Sequence, residues 1–334
     1  MHIDLALVWA GIIAFAVLAY VIMDGFDLGV GLLFPFLGSK EDRDLAMNSV
    51  APVWDGNETW LVLGGGGLFA VFPLAYSTIM PALYAPIILM LLGLIFRGVA
   101  FEYRWRTRRA QHIWDLGFFI GSLTAAFCQG ICLGTLVQGI SVSNRAYSGQ
   151  PFDWLTPFSI ATGLALVGGY ALLGSTWLIA KTHSDMSNRL RPVAIILATV
   201  TVILMGVFSL WTPFIKDLYL ERWFGYPTVV FSVIVPVVVA VLFYSIVRGL
   251  RSSAEWTPFL CALGLFMTGY AGIGISFYPY IVPQALTIWQ AAAPPSSLKF
   301  LLVGAAVLVP IILTYTAYAY WVFRGKVDPH GGYH

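Results

Sequence analysis

The chain has 334 residues, of which 59% are hydrophobic and only 10% are charged, and its mean hydropathy is +0.83. Soluble domains carry about 25% charged residues, so this composition excludes an ordinary soluble protein and places most of the chain in hydrocarbon. The formal net charge of +2 is too small to indicate a nucleic-acid partner, and the sequence has no basic tail or cluster that would supply one.

Nine segments are apolar enough and long enough to cross a bilayer, for which a helix needs roughly 20 residues. They predict an all-α integral membrane protein with nine transmembrane helices. Asp24, Gly25 and Asp27 interrupt the first segment, and Pro73 marks the short break between the second and the third. No basic region precedes the first segment and Asp4 stands at its start, so we expect a retained span and not a signal peptide. The segments are 5–36, 57–76, 78–100, 115–140, 158–180, 193–213, 229–248, 257–280 and 299–323.

The basic residues are distributed unequally between the two sides of the membrane that nine spans define. With the N-terminus outside, 13 lie in cytoplasmic segments, 4 lie in outer segments, and Arg97 lies within the third span. Because basic residues accumulate on the cytoplasmic side, the pattern predicts a periplasmic N-terminus and a cytoplasmic C-terminus. The inner residues are Lys40, Arg43, Arg104, Arg106, Arg108, Arg109, Lys181, Arg189, Arg191, Arg248, Arg251, Arg324 and Lys326, and the outer ones are Arg145, Lys216, Arg222 and Lys299.

Two pairs of acidic residues lie in the first two spans or at their cytoplasmic ends. Asp24 and Asp27 are three residues apart, as are Asp55 and Glu58, so each pair shares one face of a helix. The pairs occupy the same membrane level, since one helix descends there and the next rises from it. Carboxylates that are partly shielded from water can exchange protons near neutral pH, which predicts a proton entrance from the cytoplasm. The alternative is a structural role, either in capping helix ends or in an ion pair with Arg97.

The third span supplies the candidate charge partners for these acids. Arg97 lies within that span, and Glu102 follows it, ahead of Asp115 at the start of the fourth. Spans five to nine contain no acidic residue in their interiors. Charges in hydrocarbon are costly and mark functional positions, so ion or proton chemistry is expected in the N-terminal half of the chain.

Glycines concentrate in the same region. Gly25 and Gly29 have the spacing that lets two membrane helices approach closely, and an unusual run extends from Gly64 through Gly65 and Gly66 to Gly67. These glycines predict close helix packing or a flat face against another subunit.

The sequence offers no ligand set for a metal or a haem within its spans. All five histidines (His2, His112, His183, His330 and His334) are expected in loops or termini, whereas a membrane haem usually needs an axial ligand from a span. Cys128 and Cys132 would share a helix face, but no third ligand lies nearby, so packing is favoured. No motif of an autonomous enzyme is present. We therefore predict no metal site and no haem in this chain.

Five stretches resemble the second subunit of cytochrome bd-type quinol oxidases, and the likeness runs along essentially the whole chain. The short loops and the WDGNET form resemble the cyanide-insensitive branch of that family. The stretches are MDGFDLGVG (23–31), NSVAPVWDGNETWLVLGGGGLFAVFP (48–73), FRGVAFEYR (96–104), GISFYPYIVP (274–283) and LVPIILTYTAYAYW (308–321).

The resemblance implies a heterodimer in the bacterial inner membrane, in contact with lipids and quinone. The partner, subunit I, carries haems b and d, oxidises quinol at the outer face and reduces oxygen to water, while the second subunit binds no haem. The implied fold has two four-helix bundles, over 1–140 and 141–280, and a peripheral helix with a cytoplasmic tail over 281–334. Some members of the family also hold a structural quinone in this subunit, and small single-helix accessory subunits are expected partners.

The resemblance also implies roles for individual residues. The aspartate of the family's WDG motif lines a cytoplasmic proton path toward the partner's haems, and it corresponds to Asp55. The tryptophan five residues further on, Trp60, corresponds to one that lies near a hydrophobic oxygen route. Glu58 departs from the glutamine of other members, so its place in a proton path is not carried over from them. Protons taken up inside and released outside by quinol would generate a proton-motive force without pumping.

A secondary transporter is the alternative function for a chain with about nine spans and buried acids. Such a protein usually places polar ligands near the bilayer midplane, in broken helices of both halves. Here the acids lie near one face and in one half only, which favours the oxidase subunit.

Overall fold

The computed structural model describes residues 4–107 and 109–328, and these form long α-helices joined by short connections. The predicted inner charge Arg108 and the histidines His2, His330 and His334 lie outside the described residues. The first part of the chain forms α1 Leu5–Leu33, a 3-10 turn Phe34–Phe36, α2 Lys40–Val50, α3 Trp54–Val71, α4 Pro73–Ala82, α5 Tyr84–Arg106 and α6 Gln111–Gln138.

The second part continues with long helices and two small hairpins. Strand β1 (Val142–Ser143) pairs antiparallel with β2 (Ala146–Tyr147), and β3 (Tyr280–Val282) pairs antiparallel with β4 (Leu286–Thr287). Val282 and Leu286 of the second hairpin belong to a buried apolar cluster. The elements are β1 Val142–Ser143, β2 Ala146–Tyr147, α7 Pro157–Lys181, α8 Ser184–Trp211, a 3-10 turn Thr212–Phe214, α9 Asp217–Phe224, α10 Val229–Arg251, α11 Thr257–Phe277, β3 Tyr280–Val282, β4 Leu286–Thr287, α12 Ile288–Ala291 and α13 Pro295–Val322.

Within the described residues, eight helical segments are long and apolar enough to cross a membrane. They correspond to eight of the nine predicted spans and confirm an all-α membrane protein. The predicted second span, 57–76, is instead divided at Phe72 between α3 and α4. Pro73 lacks a backbone N–H and therefore begins a new helix rather than continuing the old one.

Several predicted helix boundaries differ from the structure by a few residues, such as those of α5, and two differences have a visible cause in side-chain contacts. Helix α1 is not interrupted at Asp24 but continues to Leu33, because the polar side chains in that stretch have partners on neighbouring helices. Helix α8 begins nine residues before the predicted start at 193. Its polar first turns hide the helix from a hydropathy pattern, and there Arg191 donates to the carbonyls of Leu250 and Ala254.

Helix α1 lies at the centre of the molecule, against α3, α6 and α7. It approaches α7 so closely that a Cβ atom on Gly29 would overlap the backbone of Tyr170, and one on Gly174 would overlap Gly29. The core continues around this crossing, where Phe26 of α1 stacks on Trp177 of α7 with ring centroids 4.3 Å apart. Small residues thus replace interdigitating side chains at the central helix contact.

One end of the helices, which we call the basic end, is formed by α2 and by the connection between α5 and α6. Buried Arg104 joins these elements, with its Nη1 2.6 Å from Asp44 Oδ1 and its Nε 2.6 Å from Asp115 Oδ1. Helix α3 begins near this end and reaches the opposite one, where the Ala293 N–H donates to the carbonyl of Val71 at 2.8 Å. The candidate site lies between the start of α3 and the second half of α1.

Candidate functional site

The centre of the site is an ion pair between two fully buried side chains. Asp24 of α1 and Arg97 of α5 are both 0% exposed, and Arg97 Nη2 lies 2.7 Å from Asp24 Oδ1. Glu58 of α3 brings its Oε1 to 3.3 Å from the same nitrogen, and its side chain is 24% exposed. Removing charges from water costs several kcal/mol per ion, roughly, so the guanidinium is needed where two acids converge. Three helices therefore meet at one charged cluster.

The second buried acid has a different set of partners. Asp27, one turn from Asp24 on α1, is fully buried, and Asn57 Nδ2 donates to its Oδ2 at 2.6 Å. The other end of the same amide, Asn57 Oδ1, accepts a hydrogen bond from the hydroxyl of Tyr320 at 2.9 Å. The chain of contacts thus runs from α1 through α3 to α13, near the other end of the sequence.

Several polar atoms of the cluster make no aligned hydrogen bond within the described residues. Both carboxylate oxygens of Asp24, Oδ1 of Asp27 and the three side-chain nitrogens of Arg97 belong to this group. Asp24 and Arg97 form an ion pair at 2.7 Å within this group. Buried polar groups are nearly always hydrogen-bonded, so such a concentration of them around one arginine is unusual.

Asp55 lies in the first turn of α3, one turn before Glu58, and is exposed in the isolated chain. The residue at the N-cap position is Val53, and no side chain caps the helix. The helix dipole favours an acid in the first turn. Asp55 is not the N-cap residue, however, so the structure does not support the alternative that it caps the helix.

Trp60 lies one turn further along α3 than Asn57 and is 1% exposed. It packs with Ala16, Ala19 and Tyr20 of α1, and its ring contacts Phe15 edge-on with centroids 5.6 Å apart. No hydrogen-bond partner for its indole N–H is found among the described residues. Trp60 therefore fills the α1–α3 contact one helical turn beyond the charged cluster, toward the end of α3.

The predicted glycines divide into two groups. Gly25 and Gly29 pack against α7, while Gly64 and Gly67 lie against Val17 and Ile13 of α1, at 3.3 and 3.4 Å from a Cβ that would be added there. For the neighbouring Gly65 and Gly66, no described atom lies within 4 Å of such a Cβ.

Of the two candidate charge partners, only one belongs to the cluster. Arg97 is at its centre, whereas Glu102 is exposed and pairs with Arg106 on the same helix at 3.8 Å. A surface pair of this kind contributes about 0–1 kcal/mol. Glu102 is one and a half turns beyond Arg97 and points away from the acids of α1 and α3.

Sequence reasoning missed four polar contributors, which are Asn57, Tyr320, Arg104 and Gln129. Asn57 lies inside the WDGNET stretch beside Glu58 and could have been included with the acids, but Tyr320 is 263 positions away and gave no signal. Arg104 follows Arg97 by seven residues, two helical turns, so it lies on the same face, and that spacing could have identified it. Gln129, between the hydroxyls of Tyr20 and Tyr170 at 2.7 and 2.8 Å, continues the polar contacts around α1.

The expectation that every histidine lies in a loop or terminus is wrong for His112, which is in the first turn of α6 and exposed. His183 is exposed and directly precedes α8. Cys128, Cys132 and Cys261 are free thiols. Across residues 4–107 and 109–328, no group of three or more His, Cys, Asp and Glu side chains is placed to hold a metal ion.

These features define a polytopic helical membrane protein whose first helices enclose a buried cluster of acids around one arginine. The profile of the family described as cytochrome bd terminal oxidase subunit II matches residues 5–323. The chain belongs to this family, and it is accordingly a subunit of a quinol oxidase.

Curated relatives agree with this assignment. The chain is 30% identical over 363 residues to the cytochrome bd-I ubiquinol oxidase subunit 2 of Escherichia coli K12, covering 97% of this chain and 95% of that protein. It is 29% identical over 330 residues to the cytochrome bd ubiquinol oxidase subunit 2 of Bacillus subtilis 168, covering 96% of each. The family membership does not favour the alternative of a secondary transporter.

A solved structure shows the same fold. A chain of the bd oxidase from Geobacillus thermodenitrificans superposes with a TM-score of 0.77 at 16% sequence identity, covering 97% of this chain and 100% of that one. At this level of identity the likeness concerns the arrangement of helices alone.

Proposed function

We propose that this chain is the haem-free second subunit of a bacterial quinol:oxygen oxidoreductase, and that its acid cluster takes up cytoplasmic protons for oxygen reduction in the partner. The observation that carries the proposal is a gradient of exposure along three acids. Asp55 is exposed at the start of α3, Glu58 one turn on is 24% exposed, and Asp24 beyond Arg97 is 0% exposed. Such a series can pass a proton from water to a buried site.

Asp27 is the fourth acid of the proposed proton path, and Asn57 connects it to the acids of α3. Its carboxylate is held by the Asn57 amide, one residue from Glu58, so the two acids of α1 and the two of α3 form one neighbourhood. Arg97 keeps this neighbourhood from accumulating uncompensated negative charge. The order Asp55, Glu58, then Asp24 and Asp27 is the proposed direction of uptake.

Nine crossings are part of the proposal, although the hydropathy of α3 alone does not identify it as a span. Helix α3 begins beside Asp27 and ends where the carbonyl of Val71 accepts from Ala293, at the opposite end of the helices. Its 18 residues span about 27 Å, close to the thickness of the hydrocarbon core. If α3 is counted, the chain crosses the membrane nine times, and its two ends lie on opposite sides of the membrane.

The orientation and the domains follow from the same count. The basic end is assigned to the cytoplasm by the excess of basic residues there, which places the N-terminus in the periplasm and the protein in the inner membrane. Residues 1–140 and 141–280 are the two proposed four-helix bundles, with α13 at the periphery. Most of α13 is exposed in the isolated chain, which supports that position.

The proposed surface for the haem-bearing subunit I lies on α3. Gly65 and Gly66 face away from the described chain, and they are flanked by Val62 and Phe69, which are 72% and 62% exposed. A flat glycine face between large apolar side chains suits close approach by a partner helix. Haems b and d are assigned to that partner. Three further properties stay predictions from the family, namely a structural quinone, single-helix accessory subunits and cyanide insensitivity.

An oxygen route past Trp60 is the second element of the proposal. The ring is buried among apolar residues of α1, one turn before Gly64, which itself packs against Val17. Oxygen is apolar and dissolves more readily in an apolar helix contact than beside charged groups, so the α1–α3 contact next to the acids is the proposed path.

The test is oxygen consumption per haem by the purified two-subunit complex carrying Asp55→Asn. Asn nearly reproduces the shape of Asp but carries no proton, so turnover should fall at least about tenfold while assembly and haem content stay unchanged. Asp55→Glu restores a titratable group and should retain more activity. The matched control is Asp185→Asn, an exposed acid in the first turn of α8. Full turnover per haem in Asp55→Asn would contradict an essential role in proton uptake.

A further inference from the structure

Helix α13 is fixed to the rest of the protein at both ends. At its first turn the Trp9 indole N–H donates to the carbonyl of Leu298 at 3.0 Å. After its last turn, the ammonium of Lys181 on α7 donates to the carbonyls of Phe323 and Gly325, and the Val327 N–H donates to the carbonyl of Lys181 at 2.9 Å. The final turn of a largely exposed helix therefore has a defined position.

This final turn carries Tyr320, whose hydroxyl reaches the acid cluster. Its ring lies edge-on to Phe26 and Trp177, with centroids 6.4 Å away in both cases, and forms part of the wall of a mainly apolar cavity of about 330 Å³. The hydroxyl donates to Asn57 Oδ1 at 2.9 Å. Tyr315 and Tyr318 of the same helix are exposed, at 63% and 61%, so this inward contact is specific to Tyr320.

The side chain of Asn57 is held by partners at both ends of its amide. Its oxygen accepts from Tyr320, and its nitrogen donates to Asp27 and, at 3.4 Å, to the carbonyl of Met23. An amide can rotate by half a turn with little change of shape, and its hydrogen-bond partners decide which end points where. The Met23 carbonyl can only accept and the tyrosine hydroxyl donates, so these two partners together direct the amide oxygen toward α13 and the N–H₂ group toward the carboxylate. A rotated amide would present an oxygen to an acid.

We propose that Tyr320 is a positioning residue for the proton path, since it holds the Asn57 amide in the orientation that donates to Asp27. The inference rests on the proposed function, in which Asp27 is a member of that path. The charged groups that face Asp27 are Asp24 on its own helix, Glu58 on α3 and Arg97 on α5. From α7, Lys181 lines the same cavity as Tyr320, but its ammonium is bound to the tail carbonyls.

The experiment compares Tyr320→Phe with the unmodified complex, as oxygen consumption per haem across pH. The substitution removes one hydroxyl and keeps the ring, so assembly, haem content and melting temperature should be unchanged. Turnover should fall about 3- to 10-fold, the range expected for one lost hydrogen bond, and the pH profile should be displaced. Tyr318→Phe, on the exposed face of the same helix, is the control and should change neither quantity.

A second variant tests whether Tyr320 acts through Asn57. Asn57→Leu should itself displace the pH profile, and adding Tyr320→Phe to it should cause no further change, because the connecting amide is already gone. A superimposable pH profile in Tyr320→Phe would overturn the inference. If that variant does not assemble, an unchanged profile in Asn57→Leu would overturn it instead.

Asp27→Asn separates this inference from the function on which it rests. Full turnover in Asp27→Asn would remove Asp27 from the proton path, and both proposals for that residue would fail together. Slow turnover in Asp27→Asn with a normal profile in Tyr320→Phe would leave the proton path in place and reject only the positioning role.

Discussion

The guanidinium of Arg97 has to satisfy acids from two helices in a place that water does not reach. Asp24 is fully buried and Glu58 is 24% exposed, and both approach one nitrogen of the arginine. In such a group, removing the cation leaves buried carboxylates with no compensating charge, which costs more than the pair itself contributes. Pairing with Arg97 and a role in proton transfer are therefore compatible, since the ion pair is what allows the acids to be buried.

At the level of single residues, Arg97→Leu should destabilise the complex by about 3–5 kcal/mol, because a buried pair loses one partner. We expect a lower melting temperature and a lower yield of assembled complex. Arg106→Leu is the control on the same helix, where the lost surface pair with Glu102 is worth about 0–1 kcal/mol. Equal melting temperatures for the two variants would show that Arg97 is not required to compensate the acids.

Among the helices, α1 and α3 use glycine for different purposes. On α1, Gly29 allows the backbone of α7 to approach, and the contact lies inside this chain. On α3, Gly64 and Gly67 are three residues apart and lie on the face toward α1. Gly65 and Gly66, between them, lie on a face that no described residue covers. The same residue type therefore serves the internal fold and a surface for a partner.

Two substitutions of glycine by leucine should separate these purposes. Gly29→Leu would force side-chain atoms into the backbone of α7, so the chain should not accumulate in folded form. Gly66→Leu should fold but recover less subunit I when this chain is purified by a tag. Gly206→Leu, on an open face of α8, is the control and should have little effect on either quantity. Full assembly and activity in Gly66→Leu would exclude that face as the subunit interface.

For the whole molecule, the number of crossings decides how the two chain ends relate to the membrane. Eight crossings would place both ends on one side, whereas nine place them on opposite sides. Helix α3 accounts for the difference, since its polar first turns and its glycines lower its hydropathy although it extends from one end of the helices to the other. Its polar start is tolerated because Asn57 and Glu58 have buried partners.

Labelling on the two sides of α3 should establish the ninth crossing. Glu41, in α2, and Ser77, in α4, are exposed and flank this helix. In a variant with Cys128, Cys132 and Cys261 replaced by alanine, an impermeant maleimide added to spheroplasts should label Ser77→Cys and not Glu41→Cys. Inverted membrane vesicles should give the opposite pattern and serve as the control. Labelling of both positions from the same side would exclude α3 as a span.

Some properties of this protein were determined by local sequence alone. Hydropathy predicted nine spans, and eight of them are long apolar helices in the described residues, because a span must be apolar along its own length regardless of its neighbours. The spacing of Asp24 and Asp27, and of Asp55 and Glu58, located the acid cluster, since residues three apart share a helix face. The long motifs around these acids were sufficient to indicate the family, which the comparisons confirmed.

Other properties depended on contacts between distant parts of the chain. Only the tertiary structure showed that Arg97 lies between Asp24 and Glu58, that Gly29 faces α7, and that Tyr320 reaches Asn57 across 263 positions. Helix α1 continues through two aspartates because partners on other helices satisfy them, and no local pattern contains those partners. A polar residue in a membrane helix is tolerated or excluded according to what faces it, and in this protein what faces it is decided by helix packing.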